Sequence, residues 1–170
     1  MSINRVNLKN KYQDLLGSAN ALPFDLATGE TVKFFSRTDR QNLGIKLTKQ
    51  SSRDISITAS DGYIYLTNLR LIYITRSKGD IDTFLMDLAV ASQLQFSHEL
   101  VSPWFGANYW KFLFYSAQGI SGGFLPNSWY EGNIKFNDGG VFDFVLIFNT
   151  VINDAINNQH VDEELPQYVP

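Results

Sequence analysis

The spacing of apolar residues changes its rhythm twice along the chain. Leu8, Tyr12, Leu15, Leu16 and Ala19 recur at helical intervals and predict a short amphipathic N-terminal helix whose length Gly17 limits. A turn-rich stretch with Pro23 and Thr28-Gly29 follows, and from there the period falls to two. Val32-Lys33-Phe34-Phe35 and Leu43-Gly44-Ile45-Lys46-Leu47 read as strands around a polar turn at 36–42. Tyr63-Ile64-Tyr65-Leu66 and the β-branched, aromatic stretch 69–75 read as two more, flanked by turn signals at Asp61-Gly62 and Lys78-Gly79-Asp80. Ile55 and Ile57 suggest a further short strand, paired across Asp61-Gly62. Phe84, Met86, Leu88, Val90, Leu94 and Phe96 alternate as in two strands joined around 89–92, with one face buried.

Residues 109–115 carry one charge, Lys111, and predict a strand buried on both faces or placed at a sheet centre. The Gly-rich 118–123 reads as a loop and 129–136 as a strand. Asn137-Asp138-Gly139-Gly140 reads as a hairpin turn before a strand at 141–144. Val145, Phe148, Ile152, Ala155 and Ile156 return to helical spacing, a stripe suited to capping a sheet, with Asn157-Asn158 as its stop. About seven or eight strands followed by one C-terminal helix describe a mainly β chain, a small antiparallel barrel or sandwich closed at one end. The expected divisions are a helix and connector over 1–29, the β-rich domain over 30–158 and a disordered acidic tail over 159–170.

Composition removes several kinds of chemistry. The 170 residues are 44% apolar and 18% charged, enough for one well-filled core, and they include no Cys and two His. Thiol nucleophiles, Cys-ligated zinc and disulfides are therefore excluded. His98 and His160 lack partners at metal-ligand spacing, and Glu131, Asp138 and Asp143 read as solvated surface charge. No P-loop, nucleophile elbow or dinucleotide fingerprint is present, so neither an enzyme nor a cofactor is expected. No apolar run reaches the ~18–20 residues of a membrane span, and no signal peptide opens the chain, which points to an intracellular protein. Charge is uneven: 1–80 holds twelve Lys and Arg against seven Asp and Glu, whereas 81–170 holds two against ten. Without a dense basic stripe, nucleic-acid binding is not expected.

Three segments carry more information. Gly62-Tyr63-Ile64-Tyr65-Leu66-Thr67-Asn68-Leu69-Arg70 resembles the G-x-hydrophobic-Y-L-T-x-x-R hairpin of GRAM domains. Phe105-Gly106-Ala107-Asn108-Tyr109 and the stretch from Phe136 through Gly139-Gly140 to Phe144 resemble segments of the WW domain-binding protein 2 family, in the same order. The resemblance covers roughly 30–158 and implies a pleckstrin-homology-like barrel with a C-terminal capping helix. In that barrel Gly62 would take a positive-φ turn, and Phe105 and Tyr109 would fill the core. A cytoplasmic protein, peripheral at membranes or nuclear, is what the resemblance implies.

Leu165-Pro166-Gln167-Tyr168 resembles the L/P-P-x-Y ligands of WW domains, with Leu where many such ligands have Pro. Proline prepays part of the ordering entropy of an extended ligand, and tyrosine supplies a ring with a polar tip. Asp162, Glu163 and Glu164 add charge that steers the segment toward a basic surface. The expected activity is that of a non-catalytic adaptor for a WW-domain protein, and the resemblance suggests HECT-type ubiquitin ligases as partners. The alternative is a peripheral module binding phosphoinositide or other anionic lipid. In a simple meander Lys49, Arg53, Arg76 and Lys78 share one end of the barrel, whereas a strand at 55–58 would draw Lys49 and Arg53 away from Arg76.

Overall fold

Alternating aromatic and β-branched residues set most of the regular structure, and every strand ladder is antiparallel. A computed structural model describes residues 1–49, 56–117 and 122–164, apart from the side chains of Ser92 and 159–164. The strands are β1 (Ser2–Ile3), β2 (Val32–Phe35), β3 (Gln41–Leu47), β4 (Ser56–Ala59), β5 (Gly62–Thr67), β6 (Arg70–Thr75) and β7 (Thr83–Asp87). A one-turn helix α1 (Leu88–Ala91) precedes β8 (Ser97–Val101), β9 (Tyr109–Ser116), β10 (Ser128–Phe136) and the long helix α2 (Val141–Glu164). One sheet has the order β1-β7-β6-β5-β2, and the other β4-β3-β10-β9-β8.

The inner faces of the two sheets enclose the main core. Ile64, Leu66, Leu71, Tyr73, Phe84 and Met86 of the first sheet meet Leu43, Ile45, Trp110, Phe112, Phe114, Tyr130 and Ile134 of the second there. Helix α2 closes one end with Val141, Phe144, Phe148, Val151 and Ile152, a stripe at the 3.6-residue period. Phe148 and Phe144 stand edge-on to the Trp110 ring at centroid distances of 4.7 Å and 5.1 Å. The mainly β, two-sheet body with a capping C-terminal helix is the architecture expected from the order of elements.

Several local expectations are corrected. The N-terminal apolar stripe is not an α-helix: Leu8 bridges to Phe24, Lys11 takes a left-handed conformation, and a 3₁₀ turn spans Tyr12–Leu15. All of its residues but the exposed Ala19 are nonetheless half-buried, and Val6, Leu8, Tyr12, Leu16 and Leu22 pack with Phe24 against Tyr63, Tyr65, Ile72 and Ile74 on the outer face of the first sheet. The segment is a strap, and it makes β5 and β6 the strands covered on both sides. Of the two placements expected for 109–115, the strand takes the one inside a sheet: β9 lies between β10 and β8, and its residues alternate buried and half-exposed rather than being buried on both faces.

The connection expected around 89–92 is helical and longer than expected: α1 and a 3₁₀ turn occupy 88–94, so Leu88 and Leu94, expected on the flanking strands, lie in it. Strand β4 pairs with β3, with Ile57 opposite Ile45, and not across Asp61-Gly62. Gly139-Gly140, both at positive φ, lead into α2 and not into a second hairpin strand. Helix α2 also runs past Asn157-Asn158, into the stretch 159–170 expected to be tail.

Candidate functional site

Thr67-Asn68-Leu69-Arg70 turns the chain from β5 into β6, and its side chains fasten the end of the N-terminal strap. Thr67 Oγ1 accepts from the backbone N–H groups of Leu69 and Arg70, closing the turn on itself. The same hydroxyl donates to Glu30 Oε2 at 2.7 Å. Arg70 holds both Glu30 oxygens, through Nε at 2.8 Å and Nη2 at 3.1 Å, and also donates to the Asp25 carbonyl. Its guanidinium lies 5.1 Å from the Phe24 ring centroid. Asn68 bridges back to the strap, accepting from Thr31 N–H and donating to the Gly29 carbonyl.

The Glu30 side chain is 1% exposed. Burial alone would raise its pKa. Hydrogen bonds from Arg70, the Ala27 amide and Thr67 outweigh that and hold the carboxyl below its ordinary value. This clamp floors a groove of about 940 Å³, walled by α2 at Val151, Asp154 and Ala155. Leu26 and Leu69 stand exposed at its rim. With its donors and acceptors already spent on one another, the clamp is a fastening and not an acid–base pair.

Of the four basic residues weighed for lipid, the three among the described residues fall in two places. Lys49 lies beyond β3 at the end of the β3–β4 pair where Lys46 stands opposite Ser56, while Arg76 and Lys78 follow β6 near the other end, beside Asp61 and Ala59. Arg53 lies outside the described residues. Arg76 is already engaged, donating to Tyr63 Oη at 3.0 Å and pairing with Asp39 at 3.6 Å. Asp61 accepts from the backbone of Ser77 and Lys78 and from the Ser77 hydroxyl, and these bonds hold its carboxyl below the ordinary value although burial opposes them.

Glu131 pairs with Lys111 at 3.2 Å and Lys46 at 3.6 Å, and Asp138 with Arg40 at 2.7 Å. His98 lies against Phe148 and accepts from the Trp110 indole, and burial pushes its imidazole below the ordinary value. Among the described residues no cluster of three or more His, Asp or Glu is arranged to hold a metal, and no helix is long and apolar enough to cross a membrane.

Phe105 was expected in the core and is 85% exposed; its neighbour Trp104 is 90% exposed. Both lie in the loop 102–108 between β8 and β9. Tyr109, also expected to fill core, is half-buried at the start of β9.

No protein-family model matches the chain. It is 30% identical over 177 residues to the UPF0664 stress-induced protein of Schizosaccharomyces pombe, an alignment spanning all of this chain and 90% of that relative. The chain belongs to the UPF0664 family. Among solved structures this UPF0664 chain resembles the Vps36 N-terminal PH domain, with a TM-score of 0.51 at 15% identity, over 82% of this chain and 91% of that one. Its two sheets and capping helix are therefore a PH-like domain. Leu165, Pro166 and Tyr168 of this UPF0664 protein lie outside the described residues.

Sequence reading missed Glu30, although a lone acidic residue before the first long strand, with an arginine on the following hairpin turn, is the signal it leaves. It also missed the exposure of Trp104 and Phe105. The flanking Pro103 and Gly106, which favour a projecting loop over a strand, are the available hint.

Proposed function

We propose that this protein is a non-catalytic adaptor whose PH-like domain engages cargo or a membrane while Leu165, Pro166 and Tyr168 recruit a WW-domain protein. The resemblance of 30–158 to GRAM domains of the WW domain-binding protein 2 family, which carry Pro-Tyr ligands after that domain, suggests a HECT-type ubiquitin ligase as the partner. The observation that carries the reading is the length of α2. Among the described side chains, the last packed on the core are Ala155 and Ile156, and the helix runs on to Glu164. Eight further residues of helix extend it by about 12 Å. A ligand segment that follows such an extension begins clear of the domain's own surface, and Asp162, Glu163 and Glu164 supply acidic steering just before it.

The alternative, anionic lipid held by Lys49, Arg53, Arg76 and Lys78, draws no comparable support, because Lys49 and Arg76 lie toward opposite ends of the β3–β4 pair and Arg76 already has acceptors.

Titration of the full chain and of Tyr168→Ala against a panel of WW domains tests the adaptor. Binding at roughly micromolar Kd that is lost in Tyr168→Ala is expected. Absence of binding to every WW domain, or binding that survives the substitution, overturns it.

A further inference from the structure

Two elements bring large apolar side chains to one end of the second sheet. Trp104 and Phe105 occupy the β8–β9 loop, and Phe142 and Leu146, exposed at 57% and 67%, stand one helical turn apart on the first two turns of α2. The ladder registers put these elements side by side. Lys135 of β10 lies opposite Tyr109 of β9, and the Phe136 N–H donates to the Asn108 carbonyl, so the loop begins where β10 gives way to the turn that starts α2.

Isolated exposed apolar residues are ordinary, but two fully projecting aromatics beside an exposed helical pair are not. Among the described residues, neither the Trp104 nor the Phe105 ring has a hydrogen bond or a ring partner.

We infer that this end is a membrane-insertion surface, with Trp104 and Phe105 entering the headgroup–acyl boundary of a bilayer and Phe142 and Leu146 following them. The occupant is argued from shape and charge. The pair projects from the surface, which suits a soft medium that needs no preformed pocket. An indole with an apolar body and one N–H donor suits the bilayer interface in particular.

Between Glu99 and Lys111 the chain carries no charged residue, so the loop enters without dehydrating an ion. At the neighbouring turn Asp138 is neutralised by Arg40 at 2.7 Å. Exposed Asp143, beside Phe142 on α2, and exposed Lys135, at the end of β10, add one charge of each sign, so the surface carries no net charge, which matches a zwitterionic membrane and has no requirement for anionic headgroups. It uses neither the basic residues nor the C-terminal segment weighed above.

The test is flotation of the full chain with vesicles of pure phosphatidylcholine, with bromine-labelled acyl chains in a second set to quench inserted indoles. The wild-type chain is expected to float, to show quenching, and to change little between low and high salt. Trp104→Ala/Phe105→Ala is expected to lose about tenfold or more in partitioning, as removal of two buried aromatic side chains requires. Its thermal melt should match the wild type, since both side chains lie outside the core. Phe142→Ser is expected to lose less, and Tyr168→Ala nothing, which separates this surface from the adaptor segment.

Failure of the wild-type chain to float overturns the proposal. So does flotation unchanged in the double variant, or flotation that needs anionic lipid and disappears in salt. Self-association in sedimentation that is abolished by the double variant, without vesicle binding, assigns the surface to a second copy of the chain instead.

Discussion

Arg70 lays its guanidinium along both carboxylate oxygens of Glu30, and through that pair the β5–β6 turn holds the end of the N-terminal strap. The carboxylate also accepts from Thr67 and from the Ala27 amide. Removing it with Glu30→Ala leaves an arginine and a backbone donor without their acceptor. A loss of about 2–4 kcal/mol in urea unfolding is expected, limited by the partial exposure of Arg70 to water. Glu30→Gln, which keeps one oxygen, should lose less. The pH dependence has a definite sign. A carboxyl held below its ordinary value contributes its stability above pH 4.5, and that contribution drains away as pH falls from there through the lowered pKa. Urea midpoints between pH 3 and 6 should therefore slope more steeply in the wild type than in Glu30→Gln.

Two glycines are required by close packing and not by backbone conformation. Gly62 was expected to need a positive φ and does not adopt one. A Cβ there would land within the Tyr73 ring, and one on Gly132 within the ring of Phe112, its cross-strand neighbour. Tyr73 cannot readily yield, because its hydroxyl donates to the Gln41 carbonyl at 2.7 Å and so ties the two sheets together. Gly62→Ala and Gly132→Ala should each cost about 1–3 kcal/mol, as overpacking of a dense core does. Thermal melts check this; unchanged midpoints would show that the rings have room to move.

His98 gives the fold a second pH sensitivity at a higher range. Phe96, Trp110 and Phe148 surround its ring, and Nδ1 accepts from the Trp110 indole, which only an unprotonated nitrogen does. Because burial lowers its pKa, the unfolded chain takes up a proton first as pH falls. Stability should decline from about pH 6.5 downward and level off below the folded-state pKa. His98→Gln should flatten the curve between pH 5 and 7 in chemical denaturation. A slope identical to that of the wild type would assign the effect to another group.

What could be read from the sequence followed from how locally each feature is encoded. The β-rich body and the helical stripe from Phe148 to Ile156 were legible because periods of two and 3.6 are properties of neighbouring residues. Strand partners are not. Ile57 and Ala59 present the same alternation to any partner, and their pairing with Ile45 and Leu43 is settled by which sheet the chain enters at Ser60. The strap misled for a related reason. Leu8, Tyr12 and Leu16 do all face apolar surface, but they reach it through a bridge, a left-handed Lys11 and a 3₁₀ turn. Val141 to Phe144 has the β-branched and aromatic composition of a strand although Gly139-Gly140 releases it into a helix. At the candidate sites the sequence named Arg70 and Phe105 as members of motifs. Clamp and projecting ring differ only in tertiary surroundings, which no spacing records.

Arg76 and Lys78 offer the sharpest contrast between the two readings of the basic residues. The Arg76 guanidinium reaches both Tyr63 Oη and Asp39, but it is more than half exposed, and exposed pairs of this kind contribute about 0–1 kcal/mol. Reversal of both charges in Arg76→Glu/Lys78→Glu should therefore leave the fold intact, with a melting midpoint shifted by no more than a few degrees. If anionic lipid were held here, two reversed charges beside Asp39 and Asp61 would repel it, and binding to phosphoinositide-containing vesicles would collapse. With Arg76 already satisfied and Lys49 at the far end of its strand pair, vesicle binding by the double variant is expected to equal that of the wild type, as is its binding to WW domains. A loss confined to phosphoinositide vesicles would return the basic loops to the centre of the function, with Arg76 exchanging Asp39 for a phosphate.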